Sequence, residues 1–119
     1  TEIYTLSLHD ALPIWPASTP KKYAYCSDTA YYEKIIPIIE GVDLLYHEAT
    51  FASEDAARAK ETFHSTARQA AEIARKANVK RLIIGHYSAR YEELHTLKKE
   101  ADEIFPGTIL ADEGMTLTV

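Results

Sequence analysis

A chain of 119 residues has room for one small domain, and a hydrophobic share of 46% supplies a core of ordinary globular size. The formal net charge of −5 argues against a broad nucleic-acid surface on this piece, because phosphate contacts want clustered Lys and Arg; basic surface for such a partner would lie elsewhere or in local pockets. No apolar run approaches the roughly 20 residues of a membrane span, and the single cysteine, Cys26, excludes an internal disulfide and fits a reducing cytoplasm.

In chain order, the first segment is the least protein-like. TEIYTLSLHDALPI, Thr1 to Ile14, resembles at every residue the in-frame translation of a widely used short-read sequencing adapter, with the Trp15 codon at the junction. Residues 1–15 are therefore expected to be non-native, and residues 16–119 to be the C-terminal part of something longer. The His9-Asp10 pair is expected to carry no chemistry. Without a basic start or a sustained apolar stretch, the segment is no signal peptide.

Pro16 to Pro20 reads as an irregular lead-in. Lys22–Cys26 is a strand. Asp28 or Thr29 caps a helix through Tyr32, Ile35 and Ile36, which Pro37 breaks or bends and Gly41 ends. Val42–Tyr46 is a short buried strand, and Ser53–Lys60 a short helix. Ser65 or Thr66 caps a strong helix over Ala67–Ala77, with Ala70, Ile73, Ala74 and Ala77 on one face and Asn78 as its stop. Arg81–Gly85 is another apolar strand. Tyr91–Phe105 is an amphipathic helix burying Leu94, Leu97, Ala101, Ile104 and Phe105, ended by Pro106-Gly107. Thr108–Ala111 and Met115–Val119 are closing strands. Alternating strands and helices predict an α/β architecture.

The chemistry-bearing residues fall at the ends of these elements, where ligands gather in such folds. Asp28, between two hydroxyl residues, is either a helix cap or a hard carboxylate ligand for a cation. His47-Glu48 closes a buried strand. The imidazole is as readily structural as catalytic, while a buried carboxylate demands partners and could orient a histidine; as a helix cap it would do neither. His64 stands just before a helix N-terminus, suited to proton exchange near neutrality, or simply solvated. His86 follows Gly85, which would let the backbone turn sharply at the strand end and aim the ring into a cleft, as a metal ligand or a core histidine. Ser88 and Arg90 together suit a phosphate, unless Arg90 pairs with Glu92 or Glu93. His95 and the Lys98-Lys99 pair read as solvated helix surface, Cys26 as a small buried residue, and Tyr23, Tyr25 and Tyr46 as packing residues.

Four motifs in order, SDT at Ser27–Thr29, HEAT at His47–Thr50, HST at His64–Thr66 and GHYSARY at Gly85–Tyr91, resemble the ribonuclease Z family of the metallo-β-lactamase superfamily, from Lys22 to Val119. The family form of the first motif has Gly where Ser27 stands. The resemblance implies the C-terminal half of an αβ/βα sandwich, one mixed sheet with packed helices. It implies a cytoplasmic endoribonuclease, dimeric in its full-length form, that uses two zinc ions to cut the 3′ trailer from a tRNA precursor. Asp28 would bridge both zincs and His86 would ligate one. His64 and Glu48 would relay a proton to the leaving oxygen, and Ser88 and Arg90 would line the phosphate pocket. The family's HxHxDH cluster and tRNA-gripping arm are expected upstream of this chain, so the chain alone is expected to be inactive. Two alternatives stay open: another hydrolase of the same fold, such as a phosphodiesterase or arylsulfatase-like enzyme, and a non-catalytic α/β interaction module that folds alone. The enzyme fragment predicts exposed apolar surface where another half would pack, and hence aggregation.

Overall fold

The computed structural model describes residues 2–7 and 20–119, so the His9-Asp10 pair and positions 16–19 of the lead-in lie outside the described residues. Four strands form the parallel part of one sheet: β2 (Lys22–Ser27), β3 (Leu44–Glu48), β4 (Leu82–Gly85) and β5 (Ile109–Leu110). They lie side by side in chain order, with Tyr25 opposite Tyr46, Tyr46 opposite Ile83, and Ile84 opposite Leu110. β1 (Glu2–Ser7) runs antiparallel along the outer edge of β2, so the sheet is mixed, as the resemblance implies. A bare strand edge offers unpaired N–H and C=O groups to any extended segment, so this pairing demands no particular sequence.

Parallel neighbours require crossovers, and right-handed crossovers between successive strands put their helices on one face. These are α1 (Ile36–Ile39), α2 (Ala56–Glu61), α3 (Ala67–Lys76) and α4 (His95–Ile104). The core lies beneath them. Ala24 and Cys26 of β2, Leu45 of β3 and Leu82 and Ile84 of β4 meet Ala70, Ile73 and Ala74 of α3 and Leu97 and Ala101 of α4. The alanines keep α3 close to the sheet, and α4 packs against α3. Thr66 caps α3 in a reciprocal box: its hydroxyl accepts the Gln69 N–H at 3.1 Å, and Gln69 Oε1 accepts the Thr66 N–H at 2.9 Å. Such a cap stabilises a helix by about 1 kcal/mol. Asn78, at φ 54°, terminates the unit. Among the described residues, no helix is long and apolar enough to cross a membrane.

The opposite sheet face is also apolar. Tyr25 and Tyr46 stack there with ring centroids 4.7 Å apart. Tyr23, Leu44, Tyr46 and Ile83 line an open cavity of about 330 Å³ together with Met115, Leu117 and Val119. A Cβ placed on Gly85 would come within 2.5 Å of the Tyr46 hydroxyl and 3.0 Å of its ring. Because that ring is stacked on Tyr25 it cannot swing aside freely. Gly85→Ala is expected to destabilise the fold by about 1–3 kcal/mol, read as a lower urea midpoint; an unchanged midpoint would show that the tyrosine pair yields.

Several boundaries differ from the expectation. Pro37 does not break a helix: a 3₁₀ turn at Glu33–Ile35 leads into α1, and Pro37 occupies its first turn, where a missing N–H costs nothing. Neither Asp28 nor Thr29 caps it; the residue before the turn is Tyr32. β3 starts two residues late because Asp43 turns to the loop, accepting the Lys22 N–H at 2.8 Å and pairing with Lys80 at 3.1 Å. α4 begins at His95, not Tyr91, because the Tyr91 hydroxyl is held by Asp55 and by the Ala52 N–H. Residues 115–119 form no strand; their apolar side chains cover the sheet face instead. Lys98 is not simply solvated, since its ammonium donates to Asp102 and to the Thr108 carbonyl, both at 2.7 Å.

Candidate functional site

The C-terminal ends of β2, β3 and β4 converge on Glu48. Its side chain is fully buried, and each partner it has is a donor. Oε1 accepts the Thr29 N–H at 2.7 Å. Oε2 accepts the Thr50 hydroxyl at 2.6 Å and the Ser65 N–H at 3.2 Å. His64 Nδ1 faces both oxygens, at 3.0 and 2.9 Å. A buried carboxylate is tolerated only with such a set. One side chain thereby ties together the loop after β2, the end of β3 and the loop before α3. Ser65 reinforces the junction by donating its hydroxyl to the Thr29 carbonyl at 2.6 Å.

Facing two carboxylate oxygens, His64 Nδ1 must be the donor, which leaves Nε2 to exchange a proton elsewhere. His64 is half-buried, and its ring lies 5.3 Å from that of the exposed His86. His86 Nδ1 lies 3.0 Å from the Thr50 hydroxyl. Glu48, His64 and His86 bring donor atoms within 4.8 Å of one another, a spacing a metal ion could use. Both Nδ1 atoms and both carboxylate oxygens are already hydrogen-bonded, however. The trio therefore reads as a proton network, and the nitrogens open to a cation are the Nε2 atoms.

Asp28 is exposed at the end of β2 and lies outside that trio. It immediately precedes Thr29, whose N–H is bound to Glu48, and its carboxylate has no partner among the described residues. Asp28 and His86 share a backbone feature, with φ of 54° and 63°. Non-glycine residues in the left-handed region cost about 1–3 kcal/mol and cluster at functional sites, where the surroundings impose them. The sharp turn thus occurs at His86 itself, and the preceding glycine is needed for Tyr46. Arg90 pairs with Asp55 at 3.0 Å, not with Glu92 or Glu93, and lies over the Phe51 ring at 5.7 Å. The Ser88 hydroxyl accepts the Arg90 N–H at 3.3 Å.

His47 is structural. Its Nδ1–H donates to the Glu48 carbonyl at 2.8 Å, and burial holds its pKa below the usual histidine range, opposed by Glu48. Its Nε2 has no partner among the described residues. Burial likewise pushes the Cys26 thiol up to about 11, so it is inert packing. His95 is exposed, as expected. The residues overlooked in the sequence are Thr29, Thr50, Ser65 and Asp55. Three of them are hydroxyl members of SDT, HEAT and HST, each within two residues of an acid or imidazole, and that neighbourhood was the available signal.

Residues 16–87 match the family model described as a beta-lactamase superfamily domain. A ribonuclease Z from Parabacteroides distasonis is 80% identical over 104 residues, 87% of this chain and 34% of that protein. This chain therefore spans about a third of the length of the curated relatives it matches. The metallo-beta-lactamase fold protein YhfI from Bacillus subtilis superposes with a TM-score of 0.73 at 27% identity, covering 80% of this chain and 39% of that one. Short-form human tRNase Z superposes with a TM-score of 0.64 at 29% identity, covering 82% and 33%. With its mixed, largely parallel sheet, one-sided helices and polar residues gathered at the strand ends, the chain belongs to the beta-lactamase superfamily domain family, on the metallo-β-lactamase fold.

Proposed function

We propose that residues 16–119 are part of a ribonuclease Z-like hydrolase that removes the 3′ trailer from tRNA precursors. The observation that carries this reading is the buried Glu48 holding His64 beside His86 at the ends of parallel strands. The names of the curated relatives and of the human neighbour support the substrate class.

The donor set fits zinc. Imidazole and carboxylate are ordinary zinc ligands, and Asp28 offers an unengaged carboxylate among the described residues. Asp28 and His86 would hold zinc, which when bound would supply nucleophile activation and stabilise charge on the attacking and leaving oxygens. Doubly protonated, His64 donates Nε2–H to the departing 3′ oxygen, while Glu48 holds the ring through Nδ1 and stabilises its charge. The tRNA is released with a 3′ hydroxyl. Arg90, steadied by Asp55, keeps further N–H groups for a phosphate, and Ser88 lies beside it.

A catalytic zinc usually takes about three protein ligands, and Asp28 and His86 are two for a two-metal site. Purified in zinc-containing buffer, this chain is expected to retain far less than two equivalents of zinc; a stoichiometry near two would contradict the ligand assignment. We further hold residues 1–15 to be foreign to the enzyme, a reading supported by a family match that starts at residue 16 and tested by resequencing adapter-free source DNA upstream of the Trp15 codon.

The test of function uses a hybrid in which residues 16–119 replace the matching segment of the Parabacteroides distasonis relative. Removal of a tRNA trailer by the hybrid supports the proposal. Hydrolysis of a small phosphodiester without trailer removal would favour a hydrolase of another specificity, the reading that the YhfI likeness keeps in play.

A further inference from the structure

We propose that Thr50 is a positioning residue that fixes the tautomer of His86, so that the ring presents an unprotonated Nε2 to a cation. The inference deepens the proposed metal site and rests on that reading for the cation alone.

A proton inventory fixes the tautomer. A threonine hydroxyl has one proton and two lone pairs. Thr50 lies 2.6 Å from Glu48 Oε2 and 3.0 Å from His86 Nδ1. Glu48 already receives the Thr29 N–H, the Ser65 N–H and the His64 Nδ1–H, so it acts toward Thr50 only as an acceptor. The Thr50 proton therefore points to Glu48, and the hydroxyl oxygen must accept from His86. His86 then carries its proton on Nδ1, and Nε2 is the bare nitrogen. An isolated neutral histidine prefers the other arrangement, so the protein imposes this one. Histidine ligands elsewhere are oriented in the same way by a partner on the ring nitrogen that does not bind metal.

Thr50 is placed to do this without slack. Its N–H donates to the Ser65 carbonyl at 3.0 Å, and its carbonyl accepts the Ser88 N–H at 3.0 Å. The residue is thus pinned between the HST loop and the loop that carries His86. Its β-branched side chain has few rotamers to explore. One carboxylate consequently sets both rings, His64 directly and His86 through Thr50.

The test is long-range proton–nitrogen NMR of the full chain, labelled at histidine, recorded at pH about 8.5 where imidazoles are neutral. The expected spectrum shows His86 protonated on Nδ1 in the wild type and in Thr50→Ser. In Thr50→Val, which keeps the shape and loses the hydroxyl, His86 should shift toward the Nε2–H form while the other resonances keep their positions. A wild-type His86 protonated on Nε2, or a Thr50→Val ring still protonated on Nδ1, would overturn the proposal. In the hybrid, Thr50→Val should weaken zinc retention against a chelator by about 10–100-fold and Thr50→Ser should restore it; equal retention in all three would also overturn it. The tautomer is read without zinc or RNA, so a hybrid that fails to process tRNA would sink the proposed function and leave this result standing.

Discussion

Replacing His64 with Asn in the hybrid is expected to slow trailer removal by about 10²–10⁴-fold, the usual contribution of a positioned acid or base, and to leave zinc content unchanged. Both halves matter. His64 Nδ1 is held by both oxygens of Glu48, and only Nε2 is left for chemistry. If that nitrogen delivers a proton to the leaving oxygen, its loss lowers the turnover number without emptying the metal site. If His64 is itself a ligand within the Glu48–His64–His86 trio, the variant loses zinc together with activity, and the relay assignment fails. A substrate whose leaving group needs no proton should recover most of the lost rate.

Glu48→Gln should do wider damage. An amide nitrogen in the Oε2 position would confront the Thr50 hydroxyl, the Ser65 N–H and His64; in the Oε1 position it would confront the Thr29 N–H and His64. Either orientation sets a buried donor against a donor. Loss of about 3–5 kcal/mol of stability is the expected result, as for breaking other buried charged networks by changing one partner. Because Thr29 neighbours Asp28, and Thr50 holds His86, zinc content should fall along with activity. Urea unfolding of the hybrid and metal analysis read the two effects. A change in stability below about 1 kcal/mol would mean that Glu48 is not the junction of the three loops. The contrast with His64→Asn, which spares zinc, separates a group that organises the site from one that transfers a proton.

These residues also explain which parts of the structure were readable in advance. α3 was legible because its signals are local: Thr66 and Gln69 three residues apart at its start, and alanines and Ile73 on one face. The tyrosine-rich run before a polar turn gave β2, and two short apolar runs gave β3 and β4, for the same reason. The start of α4 was not legible, because it depends on Tyr91 reaching Asp55, which lies 36 residues earlier in the chain. The site divided in the same way. Asp28, Glu48, His64 and His86 stood out as polar residues at element ends. Thr29, Thr50 and Ser65 did not, since a hydroxyl residue before a helix or in a turn is ordinarily a cap. Their role arises from contacts distant in sequence: the Thr29 and Ser65 N–H groups reach the Glu48 carboxylate across 19 and 17 residues, and Thr50 joins that carboxylate to His86, 36 residues further on. The positive φ of His86 was equally hidden; the glycine before it suggested the turn one residue early, when its real constraint is the Tyr46 ring. The sheet face away from the helices is apolar, but Leu44 and Ile83 on it are buried and the segment from Met115 to Val119 lies across part of it, so these residues do not offer the exposed apolar surface expected of an enzyme fragment.

The chemistry assigned to His64 and Glu48 has one direct signature, the end group left on the processed tRNA. Incubation of the hybrid with a tRNA precursor, followed by analysis of the new 3′ terminus, reads it without reference to rate. The expected result is a single cut just beyond the mature 3′ end, with a 3′ hydroxyl on the tRNA and a 5′ phosphate on the trailer, because water attacks phosphorus and the protonated 3′ oxygen departs. A 2′,3′-cyclic phosphate on the tRNA would mean that the neighbouring ribose hydroxyl was the nucleophile, and would contradict it.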